Sequence, residues 1–160
     1  MTIDKNQAII EYLLRCPAIN GNPLYFNFVN EEDDSQQVVT TSNDVLLNRP
    51  YIDGSVLKRY TFNIIVFKSV TNNAVVSSIA TYNENVEELA DVQSLIDWIN
   101  EQNDLKNFPD FGTDCRIDSI FSTTENPNLD GINTNTMPML AMYSVSIQID
   151  YLDVSKVVWQ

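Results

Sequence analysis

Apolar and polar residues alternate most cleanly late in the chain. From Met139 to Tyr151 the odd positions Met139, Ala141, Tyr143, Val145, Ile147, Ile149 and Tyr151 are apolar, while Ser144, Ser146, Gln148 and Asp150 lie between them. A period of two predicts a strand with one face in the core and the other wet or at an interface. A second long strand is predicted from Tyr60 to Val70. Tyr60, Phe62, Ile64 and Val66 line one face, and on the other Thr61 and Asn63 give way to Ile65 and Phe67, so its far end is expected to be buried on both sides. Upstream, Tyr51 to Arg59 reads as a turn feeding this strand. Asp53-Gly54 supplies the turn chemistry, since Gly accepts positive φ and the Asp side chain bonds the backbone beyond it.

Helical spacing occurs twice. Near the start, Ile3, Ile9, Ile10, Leu13, Leu14 and Cys16 form a stripe that Thr2 or Asp4 can cap and Pro17 ends. The second helix is predicted from Asn85, which opens an N-x-x-E capping pattern with Glu88, with Glu84, Glu87, Glu88 and Asp91 near the end that favours anions. Val86, Leu89, Val92, Leu95, Ile96 and Ile99 form its buried face, Trp98 flanks it, and it should end near Asn103 to Asn107, ahead of Pro109.

Shorter strands are predicted elsewhere. Leu24 to Phe28 and Gln36 to Thr41 read as a hairpin with an acidic tip, Glu31-Glu32-Asp33-Asp34. Ala74 to Ala80 reads as a strand, as does Cys115 to Phe121, with Ile117 and Phe121 on one face and Ile120 opposite. Residues 122–138 have no sustained period and contain two prolines, a long loop of the kind that is usually functional or flexible. The expected fold is α+β: one domain over 1–160, with a mainly antiparallel sheet of about 4–6 strands and two helices packed on one face.

Composition narrows the chemistry. Nine Lys and Arg against 22 Asp and Glu give a net charge of −13, which disfavours a basic nucleic-acid face and anionic membranes. With 44% hydrophobic residues the chain is too apolar to remain disordered. The N-terminal M-T-I-D-K-N-Q lacks the pattern of a secretory signal, and Cys16 and Cys115 lie far apart without a C-x-x-C, so reduced cytoplasmic thiols are expected.

No histidine is present, which excludes Ser-His-Asp and Cys-His catalysis and H-E-x-x-H metal sites. The four glycines form neither a dinucleotide fingerprint nor a P-loop. The acidic run 31–34 lacks the frame that aims alternate oxygens at a cation, so it reads as a solvated loop. Carboxylate-pair chemistry survives only because 22 acids always permit some pair. No catalytic, cofactor or metal residue is singled out. What stands out is interface material: the rare basic pair Lys58-Arg59 beside Asp53, the apolar scatter Leu129, Ile132 and Met137 in the long loop, and Trp159 near the chain end.

Three runs carry a resemblance: N-R-P-Y-I-D-G-S-V-L-K-R-Y-T-F (Asn48 to Phe62), E-N-V-E-E-L-A-D-V-Q-S-L-I-D-W-I-N-E-Q-N (Glu84 to Asn103) and E-N-P-N-L-D-G (Glu125 to Gly131). Together they resemble small structural proteins of tailed bacteriophages, most closely the tail terminator, or tail-completion, family. The resemblance spans most of the chain and departs most over Ala74 to Tyr82. It implies a homo-oligomeric, six-fold ring that caps the tail tube in the virion after assembly in the host cytoplasm, with no catalysis and no cofactor. The implied partners are the tail tube protein and the head-completion or connector protein; DNA passes through the lumen without sequence-specific binding, and no membrane is involved. A head-side connector is the nearest alternative. A stand-alone α+β ligand-binding or carboxylate-dependent enzyme domain is the alternative from another class.

Overall fold

The computed structural model describes residues 4–19, 24–27, 36–40, 45–69, 79–133 and 140–157. Its frame is two long antiparallel strands, β4 (Val56–Ser69) and β7 (Leu140–Asp153), paired without interruption from Val56 opposite Asp153 to Ser69 opposite Leu140. At about 3.4 Å per residue each runs about 45 Å. The other edge of β4 takes β2 (Gln36–Thr40) and β3 (Val45–Leu46), with β1 (Leu24–Phe26) outside β2. The other edge of β7 takes β5 (Cys115–Ser122) and then β6 (Asn128–Asn133), end to end. The protein is α+β, its seven-stranded sheet mostly antiparallel and slightly larger than the sequence suggested.

The alternation seen in the sequence is the alternation of the sheet. Tyr60, Phe62, Ile64 and Val66 of β4 and Ala141, Tyr143, Val145, Ile147, Ile149 and Tyr151 of β7 are buried on one face. Register sets Phe62 opposite Ile147 and Ile64 opposite Val145, so the two apolar rows meet across the ladder. Two helices close this face, α1 (Lys5–Leu13) with Ala8, Ile9, Tyr12 and Leu13, and α2 (Ile79–Asp104) with Val92, Leu95, Ile96 and Ile99, all in one continuous core. Asp4 caps α1, its carboxylate accepting from the Asn6 N–H at 2.9 Å. Leu14, expected in the buried stripe, is the C-cap and is exposed.

Aromatic side chains tie the layers together. Phe111 stands edge-on to both Tyr60 and Tyr151, at 5.9 and 5.5 Å between ring centroids. Tyr12 packs on Trp98 at 5.1 Å and donates its hydroxyl to the Asn107 carbonyl, while the Tyr60 hydroxyl bonds the Asn6 side chain. Cys16 is fully buried; burial pushes its thiol above the ordinary value, against backbone hydrogen bonds from Ala18 and Ile19 that act the other way. It is a protonated core residue.

Four further expectations are corrected. β1 and β2 are parallel, Leu24 beside Gln36 and Phe26 beside Val38, so they form no hairpin. Asn27, with φ 46, takes the chain out of line directly after Phe26. The second helix begins at Ile79, so the last residues of the expected strand Ala74–Ala80 are helical and Asn85 is no cap. Nothing in I-A-T-Y-N-E forbids helix, so the helix runs through the local capping signal.

The supposed loop 122–138 contains β6. Finally, Ile117 and Ile120 share the core-side face of β5 and Phe121 takes the other, because a bulge at Asp118 shifts the register between Ile117 and Ser119. The acidic run 31–34 lies outside the described residues.

Phe62 is fully buried at the centre of this arrangement. Phe62→Ala should cost about 3–5 kcal/mol, read as a lower urea midpoint at unchanged slope. Ser144→Ala, on the opposite face of β7, should stay within about 0.5 kcal/mol of the parent.

Candidate subunit interface

At one end of the sheet, β3, the start of β4, the start of β5 and the end of β7 converge around the turn 51–55. The turn is closely tied. Gly54 N–H donates to Tyr51 O at 2.9 Å and Tyr51 N–H to Ser55 O at 2.8 Å. Asp53 Oδ1 accepts from both the N–H and the hydroxyl of Ser55, at 2.9 and 2.7 Å. These bonds, the hydroxyl's first, hold the Asp53 carboxyl below its usual range. Gly54 has φ +93, and a Cβ there would lie 2.4 Å from the Lys156 carbonyl oxygen, so only glycine lets the segment after β7 lie against this turn.

A turn so fixed nevertheless presents large apolar side chains to water. Ile52 is fully exposed (109%), and Val45, Leu46 and Tyr51 are each about half exposed or more. Beside them runs an open groove of ≈ 1270 Å³, lined by Tyr51, Ile52, Leu57, Ile117 and Leu152, with Arg116 and Asp118 at its sides. On the other side of Gly54 is a smaller recess of ≈ 370 Å³ between Leu46, Pro50, Val56 and Lys156. Burying such side chains is worth about 1.5–3 kcal/mol each.

The interface residues picked from the sequence fall in separate places. Asp53 organises the turn. Lys58 and Arg59 are paired within the chain: Lys58 Nζ lies 2.8 Å from Asp153 Oδ2, and Arg59 grips Asp150 with two bonds, Nε to Oδ1 at 2.8 Å and a second nitrogen to Oδ2 at 3.2 Å. Since neighbouring residues of a strand point to opposite faces, the two pairs brace opposite sides of the β4–β7 ladder.

Leu129 and Ile132 project from β6, 51% and 49% exposed. They sit opposite Tyr143 and Ala141, on the helix side of the sheet. Met137 and Trp159 lie outside the described residues. Ile52, Leu46 and Tyr51 were missed, although an isoleucine in the middle of a D-G turn has no strand or helix face to bury it, and that is a readable signal.

Among the described residues no group of three or more Cys, Asp or Glu is arranged to hold a metal ion, and no helix is long and apolar enough to cross a membrane. Comparison with known proteins finds no matching family model and no curated protein that matches the chain.

Two tests follow from this geometry. Gly54→Ala combines the left-handed φ with the Lys156 clash and should cost about 1–3 kcal/mol in thermal or urea unfolding. The second concerns Asp153. Burial pushes its carboxyl upward, but hydrogen bonds from Lys58 and from the Ser155 hydroxyl and N–H, with the Lys58 charge, outweigh this and hold it at about 2. The unfolded value is about 3.9. Its stabilising contribution is therefore complete above pH ~4 and disappears as the pH falls from ~4 towards ~2. Urea midpoints measured across that window should fall in the parent and fall less steeply in Asp153→Asn.

Proposed function

We propose that this chain is a structural subunit of a tailed-phage tail: a tail terminator whose copies form a ring, six-fold by its resemblance, closing the tail tube and joining it to the neck. The observation that carries the reading is the rigid turn 51–55. A monomeric protein gains nothing by fixing Tyr51 and a fully exposed Ile52 in place with four hydrogen bonds and a close backbone contact. A docking surface does gain, because a pre-ordered contact loses little freedom on binding.

Supporting it are the three sequence runs given above, the first of which covers this turn, and the net charge of −13. A lumen lined by acidic subunits does not grip passing phosphates. The role is architectural, with no reaction and no cofactor. The groove beside the turn is wide and open to solvent, unlike a small-ligand site, which encloses most of its ligand.

The reading is tested by oligomeric state. Multi-angle light scattering should give a mass several times that of the subunit, growing with concentration. Ile52→Asp should leave the unfolding midpoint within about 0.5 kcal/mol of the parent, since the side chain touches solvent alone. It should abolish the large species and the ability to complete tails. A parent chain that stays monomeric at every concentration and in the presence of tail tubes ends the proposal.

A further inference from the structure

Two exposed apolar patches occupy opposite reaches of the molecule. The first is the turn patch, Leu46, Tyr51 and Ile52. The second is the β6 patch, Leu129 and Ile132. Leu129 lies beside Tyr143 and the turn groove beside Leu152, so along β7 the two are about 30 Å apart at about 3.4 Å per residue.

Their electrostatic surroundings differ. Around the turn cations and acids are mixed: Lys58 pairs with Asp153 and Arg59 with Asp150, and Arg116 and Lys156 border the two recesses together with Asp53 and Asp118. The chain as a whole carries a net charge of −13. Part of it flanks β6: Glu125 and Asp130 are exposed there, and Gln93 links Asp97 to the Glu125 carbonyl, bringing the acidic outer face of α2 alongside.

We infer that the turn patch of one copy seats on the β6 patch of a second copy, head to tail. This inference rests on the assembly reading above and specifies its contact. Three observations select the occupant. Pairing two β6 patches would set acid against acid. Pairing two turn patches would leave Leu129 and Ile132 in water. Only the unlike pairing covers both apolar patches and brings Arg49, Arg116 and Lys156, all exposed, towards an acidic surface. The contact is made by side chains rather than by strand addition, because the free edge is broken by bulges carrying Asp118 and Asp130. Two different patches on one subunit make a heterologous interface, which closes into a ring or runs on as a filament and never stops at a symmetric dimer.

Complementation tests this directly. A turn variant, Leu46→Asp with Ile52→Asp, and an edge variant, Leu129→Asp with Ile132→Asp, are each expected to be folded monomers in sedimentation velocity, with self-association weakened at least about 30-fold. Mixed in equal amounts, they should form a species of twice the subunit mass and nothing larger, since each retains the patch the other lacks. If the edge variant does not fold, Glu125→Arg with Asp130→Arg replaces it, reversing the charge of the same patch while leaving its apolar residues. A mixture that stays monomeric while the parent assembles overturns the inference and leaves the assembly reading standing, as does an edge variant that assembles like the parent. A parent that never assembles overturns the assembly reading itself.

Discussion

The uninterrupted register between β4 and β7 is the constraint on which the rest depends. It sets Phe62 against Ile147 and Ile64 against Val145, and a slip of one residue would turn Ser144, Ser146 and Gln148 into the core. Because β7 is paired on both edges, with β4 along one and β5 and β6 along the other, β5 and β6 take their positions from it, while β2 and β3 take theirs from β4. Both helices cover the one apolar face this register creates. The ion pairs Arg59–Asp150 and Lys58–Asp153 sit at one end of the same ladder, and each bridges β4 and β7 only when the strands are aligned this way.

How much of this could be read from the residues depended on how local the cause was. The core faces of β4 and β7 were legible because each row of apolar side chains is buried by a single surface over its whole length, so burial and period coincide. β6 was not, and the reason is physical. Leu129 and Ile132 share a face although they are three apart, because the bulge at Asp130 inserts one residue between them. The same effect at Asp118 puts Ile117 and Ile120 together and reverses Phe121.

The parallel pairing of β1 with β2 depends on which edge of β2 is already taken by β4, a fact of the whole sheet. The start of α2 at Ile79 likewise lies before the capping pattern at Asn85, whose residues are compatible with the helix interior. For the candidate interface, the turn itself and Asp53 were legible. The destination of Lys58 and Arg59 was not, since their partners Asp153 and Asp150 lie across a ladder that joins distant parts of the chain.

The surface divides its charge unevenly. Where the strand ends converge, Lys58 and Arg59 are paired with Asp153 and Asp150, and Arg49, Arg116 and Lys156 are exposed. Acids dominate the exposed side of α2 and the β6 region. A net charge of −13 makes copies of such a molecule repel one another at long range, and cations near the turn weaken that repulsion locally.

The central ladder also sets how the chain must find its shape. Even its nearest pair, Ser69 with Leu140, joins positions about seventy apart. Closing a segment of that length costs roughly 4 kcal/mol in chain entropy beyond the constant term, before any strand contact rewards it. Contacts this distant place the domain among slow folders, with β4 waiting as an apolar ribbon until β7 arrives. An Ile64–Val66 segment left open in that interval is a target for wrong strand pairing, so correct folding competes with aggregation and should be won at low temperature and dilute chain, or with a chaperone at hand.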